Sequence, residues 1–196
     1  MAIDPISNPT AFKNESVENP IQWKKILDGK ETTFNPNFPY GDGFLPKTAG
    51  STWRQYQRLC DLILPAMRVS DKDYFFHNFF ITEANTTPSK YSPGRANIDF
   101  TQRLEFFKNN RFYQNFEVII VAAGGYLHVP QIEELFGVKE TDRSQSTPNN
   151  KFILFKDKKT NKLVISTRQL STSVSTELMD KIANEINSRE SLVQSK

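Results

Sequence analysis

The chain has one cysteine and two histidines in 196 residues, and that scarcity removes several kinds of chemistry. Cys60 alone cannot build a disulfide framework, so the fold must hold by packing, and a single thiol fits a reducing cytoplasm, the expected location. So few sulfur and imidazole groups argue against a zinc site, and neither a metal nor a cofactor is expected. No apolar run approaches the roughly 18 residues that identify a membrane span, and the opening residues do not read as a signal peptide, so no membrane partner is expected. A large excess of either charge is also missing. Twenty-five Lys and Arg stand against 22 Asp and Glu, a net charge of +3 with pI ≈ 8.9. That balance permits an anionic partner without demanding one.

What is present suits a compact core. Hydrophobic residues make up 37% and aromatics 12%, with sixteen Phe, and this length gives one domain, residues 1–187, with 188–196 as a flexible tail; a monomer is expected. The most informative stretch is Val118 to Val121, four β-branched apolar residues followed by Gly124 and Gly125. An unbroken run of that kind reads as a central parallel strand buried on both faces, and β-branching with glycines disfavours a helix. Ligands of open parallel sheets bind beyond the carboxyl ends of the strands, so Ala122 to Tyr126 either faces a site or makes a tight strand-to-helix turn.

Residues 10–50 are rich in turn formers and read as a long structured loop, with a short helix around Ile21 to Leu27. Ser51 or Thr52 can cap a helix whose Trp53, Tyr56, Cys60 and Ile63 share a face, with Pro65 ending it. Tyr74 to Thr82 is apolar except for His77 and Asn78, and reads as a second buried strand. Asp99 with Gln102 resembles a capping box for a helix to about Asn115, with Phe100, Leu104 and Phe107 as its buried stripe. Pro130 starts another helix, with Ile132, Leu135 and Phe136 inward. Glu140 to Asn150 is polar and reads as a mobile loop. Phe152 to Phe155 and Leu163 to Ile165 flank a lysine-rich tip and read as a hairpin or neighbouring strands. Val174, Leu178, Ile182 and Ile186 mark a last helix from about Ser173, fraying from Ser188. The pattern predicts an α/β fold: a three-layer α/β/α sandwich around a central, mainly parallel four-stranded sheet.

Three loops carry chemistry at strand ends: Asp4 with Pro5, Asn78 to Thr82, and Ser166 to Ser173. Asp4 is either a turn former or a working carboxylate. Asn78 inside an apolar run needs partners for its amide that a hydrophobic core does not supply. The hydroxyls of Ser166 to Ser173, with Arg168, either cap a helix or make a phosphate site before its N-terminus.

In this order the residues resemble the uracil-DNA glycosylase superfamily over most of the chain. Asp4, Pro5, Asn8, Pro9 and Ala11 look like its water-activating loop. Gly43, Phe44, Leu45 and Pro46 are similar to the segment whose Phe stacks on the flipped base. Phe75 to Thr82 looks like its apolar strand ending in a base-reading Asn, and Ser166 to Ser171 takes the place of a loop that carries a His in the family. Here Ile3 replaces a Gln, Ile6 stands where a Tyr is common, and Ser166 or Arg168 occupies the His position. The resemblance implies hydrolysis of an N-glycosidic bond in DNA after the base leaves the stack. It makes Asp4 and Arg168 catalytic: Asp4 positions water or balances the cationic sugar, while Arg168, with Ser171 or Ser173, holds a phosphate or stabilises the leaving base. Phe44, Asn78, Ser166, Leu170 and Ser171 then bind substrate, Leu170 as a wedge pressed into the duplex. The alternatives are a non-catalytic member of the same fold that binds nucleic acid or protein, and a nucleoside hydrolase on another α/β sheet.

Overall fold

The computed structural model describes residues 24, 27–30, 51–67, 74–82, 101–123, 125–144, 151–157, 159–170 and 174–193. The chain divides into two compact units, Met1–Ile98 and Asp99–Lys196.

In the first unit, helix α1 runs Ser51–Ile63; Leu64 N–H still bonds to Cys60 O at 2.8 Å, and Pro65 comes next, where a proline N cannot supply a further helical hydrogen bond. Among its residues with described side chains Gln57, Leu59 and Cys60 are buried, and Tyr56 and Ile63, expected on the Cys60 face, are half-buried. The next element corrects an expectation. Tyr74–Asn78 is a short helix, α2, and residues 79–82 are irregular, where a buried strand was expected. A continuous apolar run does not distinguish a buried strand from a buried helical turn. Here the helical turn brings Phe75 and Phe79 into a stack at 5.7 Å. Cys60, Tyr74 and Phe75 form the core of this unit, with Tyr56, Leu64, Phe79, Phe80 and Ile81 packed on it. One polar cluster borders that core: Gln57 Nε2 donates to Asp61 Oδ1 at 2.9 Å, and the Tyr74 hydroxyl donates to the same oxygen.

The second unit carries the sheet. Helices α3, Thr101–Asn109, and α4, Arg111–Gln114, divide a segment expected as one helix. Asn110 causes the break: its backbone is extended, and its side chain accepts from Phe112 N–H at 2.9 Å, which starts a new helix. Strand β1 is Val118–Val121, helix α5 is Val129–Phe136, and strands β2, β3 and β4 are Lys139–Arg143, Phe152–Lys156 and Leu163–Thr167. The last helix, α6, spans Thr176–Val193, past the point where fraying was expected.

The sheet order is β1-β4-β3-β2, with β1 parallel to β4 and the other two pairings antiparallel. This is a mixed sheet rather than a mainly parallel one. The reason is loop length: a parallel connection needs a crossover of about a dozen residues or more, and only the tip after Lys156 joins β3 to β4. That tip is a tight turn in which Asp157 accepts from the Thr160 hydroxyl and from Lys159 N–H and Thr160 N–H, the two N–H bonds at 3.1 Å, and the hydroxyl bond above all, then the N–H bonds, hold its carboxyl below the ordinary range. Among the described strands, β1 lies at an edge rather than the centre, with Val118, Ile119 and Ile120 only half-buried. The interior belongs to β4 and β3. Lys139–Arg143 is a further correction, because residues 140–143, the start of the polar segment expected to be mobile, belong to the other edge strand, interrupted by a bulge between Glu140 and Asp142. Charged, bulged edges of this kind discourage pairing with other chains.

On one face of the sheet Val121, Val164 and Phe155 pack with Leu127, Ile132 and Val138, so α5 covers that side. Gly137 ends α5 at φ 66 in the left-handed region, where a glycine pays no steric penalty. On the other face Leu163, Ile165, Phe152 and Leu154 are also buried, as are Leu178, Ile182 and Ile186 of α6. Arg189 fastens α6 at one end: its Nε donates to Asn161 O at 2.8 Å and its Nη2 to Glu117 Oε2 at 2.6 Å.

Phe155 is fully buried against α5, so Phe155→Ala is expected to lower unfolding free energy by about 3–5 kcal/mol, read from urea titration. Cys60 is equally enclosed, and burial, aided by the Asp61 charge, pushes its thiol from 9.0 up to about 12. A raised folded pKa means that the unfolded chain gives up its proton first. Cys60 therefore favours folding fully below pH 9.0, with the benefit lost as pH climbs from there to about 12. At pH 8 the native thiol should react with a disulfide reagent only as fast as the chain opens, whereas reaction on mixing would contradict this burial.

Candidate functional site at the strand ends

The parallel pair β1 and β4 aligns Val121 with Ser166, which brings their carboxyl ends side by side. Beyond β1, Tyr126 N–H bonds to Ala123 O at 3.0 Å, and Gly125 sits at φ 88. A four-residue turn with its third residue at positive φ requires glycine there, so a tight turn accounts for at least one of the two glycines. Ala122 and Ala123 are half-buried beside it, small enough to leave the adjoining strand end accessible.

Beyond β4 the chain enters the hydroxyl-rich segment. Ser166 lies on the Val164 side of the sheet and is half-buried, while Thr167 turns to the opposite side, where its Oγ1 donates to Lys151 O at 3.2 Å. Arg168 and Gln169 are half-buried and Leu170 is fully enclosed. Leu170 thus anchors the loop in the core. A wedge must be exposed before it can enter a base stack, so the burial of Leu170 corrects that expectation. At the start of α6, Ser175 Oγ accepts from Leu178 N–H at 3.1 Å, and Glu177 in the first turn pairs with Lys181 at 2.7 Å. One hydroxyl there is therefore a helix cap, and the acidic first turn already complements the helix dipole.

In the first unit, Asn78 closes α2. Its side chain is exposed, and Nδ2 donates to Tyr74 O at 2.7 Å, one turn back on the same helix. His77 beside it is also exposed. The need for partners that an amide in an apolar strand would have is thus met by helix geometry and solvent. Asp4, Phe44, Ser171 and Ser173 lie outside the described residues. Within the second unit, the structure brings together Ser166, Arg168 and the turn at Ala123 to Tyr126.

Sequence patterning did not single out the polar side chains that tie the opposite, amino-terminal end of the β1–β4 pair to the helices. Gln114 Nε2 donates to Phe107 O at 2.8 Å and to Leu135 O at 3.1 Å, while its Oε1 accepts from Lys162 Nζ at 3.2 Å. One amide thereby joins α3, α5 and the residue before β4. Partial burial holds the Lys162 amine below its ordinary range. Nothing in the spacing of a lone glutamine signals such a role.

Comparison with protein-family models, with curated proteins and with solved structures finds no match to this chain. Among the described residues no helix is long and apolar enough to cross a membrane.

If the amide of Asn78 serves mainly its own helix, Asn78→Ala should cost about 0.5–1.5 kcal/mol of stability, the lower end being expected for an exposed group. Chemical denaturation measures it, and a loss above that range would mean that Asn78 carries a larger structural duty than this one hydrogen bond.

Proposed function

We propose that this chain is a DNA glycosylase-like protein that hydrolyses the N-glycosidic bond of a uracil-like or modified base held out of the DNA stack, on a three-layer α/β/α arrangement. The observation that supports it is the parallel alignment of Val121 with Ser166, which puts the Ser166 to Leu170 loop and the turn after β1 at neighbouring strand ends, where sheets of this kind bind ligands. Arg168 follows β4 directly, and a guanidinium there can hold a phosphate or meet the negative charge on a departing base. The resemblance gives Asp4 the attacking water or the balance of charge on the sugar, Phe44 the stack on the base, and Asn78 the reading of its edge. In the reaction water adds to the sugar carbon, the carbon–nitrogen bond breaks, and the base leaves with the electron pair.

A second reading, a non-catalytic nucleic-acid- or protein-binding protein of the same architecture, is favoured by three observations. The loop after β4 has no histidine, Leu170 is enclosed, and the Asn78 amide is engaged by Tyr74 O. A base-reading Asn78 would have to release that bond first.

One assay separates the readings. Labelled single- and double-stranded oligonucleotides carrying uracil or an altered base are incubated with the protein and treated with alkali. Strand breaks at the altered position are expected, and Arg168→Ala should slow their appearance by about ten- to a thousandfold with an unchanged melting curve. Binding without breaks in every substrate supports the second reading and rejects the first.

A further inference from the structure

Helices α3 and α4 carry the most exposed large apolar side chains described in their unit, Phe106 at 44% and Phe112 at 48%. Neither ring is loose. Phe106 meets the Tyr113 ring at 5.5 Å and Phe112 meets it at 5.3 Å, both edge to face, and Phe112 also packs edge-on against Phe116 at 5.2 Å. Tyr113 is itself buried and rests on Phe107 at 4.7 Å. The two exposed rings therefore flank one buried ring that fixes them from beneath. Cations are interleaved with them. The Arg103 guanidinium lies 5.3 Å from the centre of Phe106 and 4.5 Å from that of Phe107, and exposed Arg111 precedes Phe112 in α4. Lys108 is engaged by Glu134 at 2.7 Å, and the one acid of α3, Glu105, accepts from Asn109 at 3.1 Å.

We propose that the α3–α4 face is a stacking platform for single-stranded nucleic acid, with Phe106 and Phe112 each taking the flat face of a base and Arg103 and Arg111 meeting its phosphates. Rigid exposed rings combined with cations bind single strands without regard to sequence, because every base offers a π face and every nucleotide a charge. A protein interface is the other use for exposed Phe beside Arg, but residues 101–114 carry Arg103, Lys108 and Arg111 against the single acid Glu105, a positive balance that suits phosphates. Here one exposed ring has an arginine stacked on it and the other has one adjacent in sequence. The platform requires none of the strand-end residues, so it stands whether or not the chain cleaves a glycosidic bond.

The test is fluorescence anisotropy of a labelled oligothymidylate with the full chain at several salt concentrations. Phe106→Leu and Phe112→Leu keep apolar volume but remove the aromatic face, and each should weaken binding about five- to 150-fold. Phe112→Tyr should bind like wild type, and Arg111→Ala should reduce the slope of log affinity against log salt by about 0.7. Melting curves confirm that each variant is folded. Absence of wild-type binding at low salt, or unchanged affinity in both Leu variants, overturns the platform. So does a sedimentation result in which wild type self-associates, Phe112→Leu does not, and oligonucleotide affinity is the same for both.

Discussion

The backbone of β4 is the constraint on which the second unit depends. It is hydrogen-bonded on both edges, to β1 in parallel and to β3 antiparallel, and Leu163, Val164 and Ile165 are buried in succession. Three consecutive buried residues on a strand have side chains on both faces, so apolar cover is needed on each. Helix α5 supplies one cover. Buried backbone groups that lose water must find partners, and a strand with two neighbours satisfies them along its whole length. A polar residue placed mid-strand would forfeit that cover, which is why polarity returns only at Ser166.

Two long polar side chains then fix what the hydrophobic contacts leave free. Hydrophobic burial is non-directional and allows helices to slide, whereas Gln114 and Arg189 each meet two or three defined partners across distant parts of the chain. The Arg189 guanidinium is largely covered, at 13% exposure, while its partner Glu117 is 74% exposed. The ion pair therefore sits at the solvent boundary and is worth less than a buried one. Its second bond, to Asn161 O, adds direction. Asn161 itself has φ 57, a conformation that asparagine tolerates better than most residues, so the carbonyl that Arg189 needs is presented by a strained turn.

Regular patterns made much of this legible in advance. Helical spacing located α1, α5 and α6, and the two apolar runs on either side of the lysine-rich tip gave the β3–β4 hairpin. What failed was governed by physics that one-dimensional patterns omit. Val118 to Val121 has the composition of a central strand, yet composition fixes neither the burial, which is only partial for Val118 to Ile120, nor the number of neighbours; among the described strands β4 has two and β1 has one. Lys139–Arg143 has no apolar alternation because an edge strand can be held by backbone bonds alone. Tyr74 to Thr82 is apolar enough for either state, and ring stacking between Phe75 and Phe79 goes with the helical one. Asn110 ended a helix in the middle of a periodic stripe through a single side-chain bond. At the strand ends, Ser166 and Arg168 follow from a strand that runs parallel to β1, but residue chemistry could not show that Leu170 is enclosed in the core.

If Ser166 or Arg168 stands in a loop that carries a histidine in the resembled family, the chemistry open to the proposed glycosylase is limited. A guanidinium keeps its proton at any physiological pH and so cannot act as a general acid; it can only stabilise negative charge that develops on the leaving base. Such help is useful when the departing base is a tolerable anion, as with uracil-like rings that bear an acidic ring N–H flanked by carbonyls. It does little for a base that must be protonated before it can leave. A fixed cation also acts without a titration step, so activity on the proposed substrates would show no dependence on an imidazole near neutral pH. Any rise or fall would come instead from the carboxylate that handles water. The pH profile expected of this loop is therefore flat through pH 6–8, where an imidazole with an ordinary pKa of about 6.5 would bend it, and a titration in that range would assign the chemistry to a residue other than Arg168.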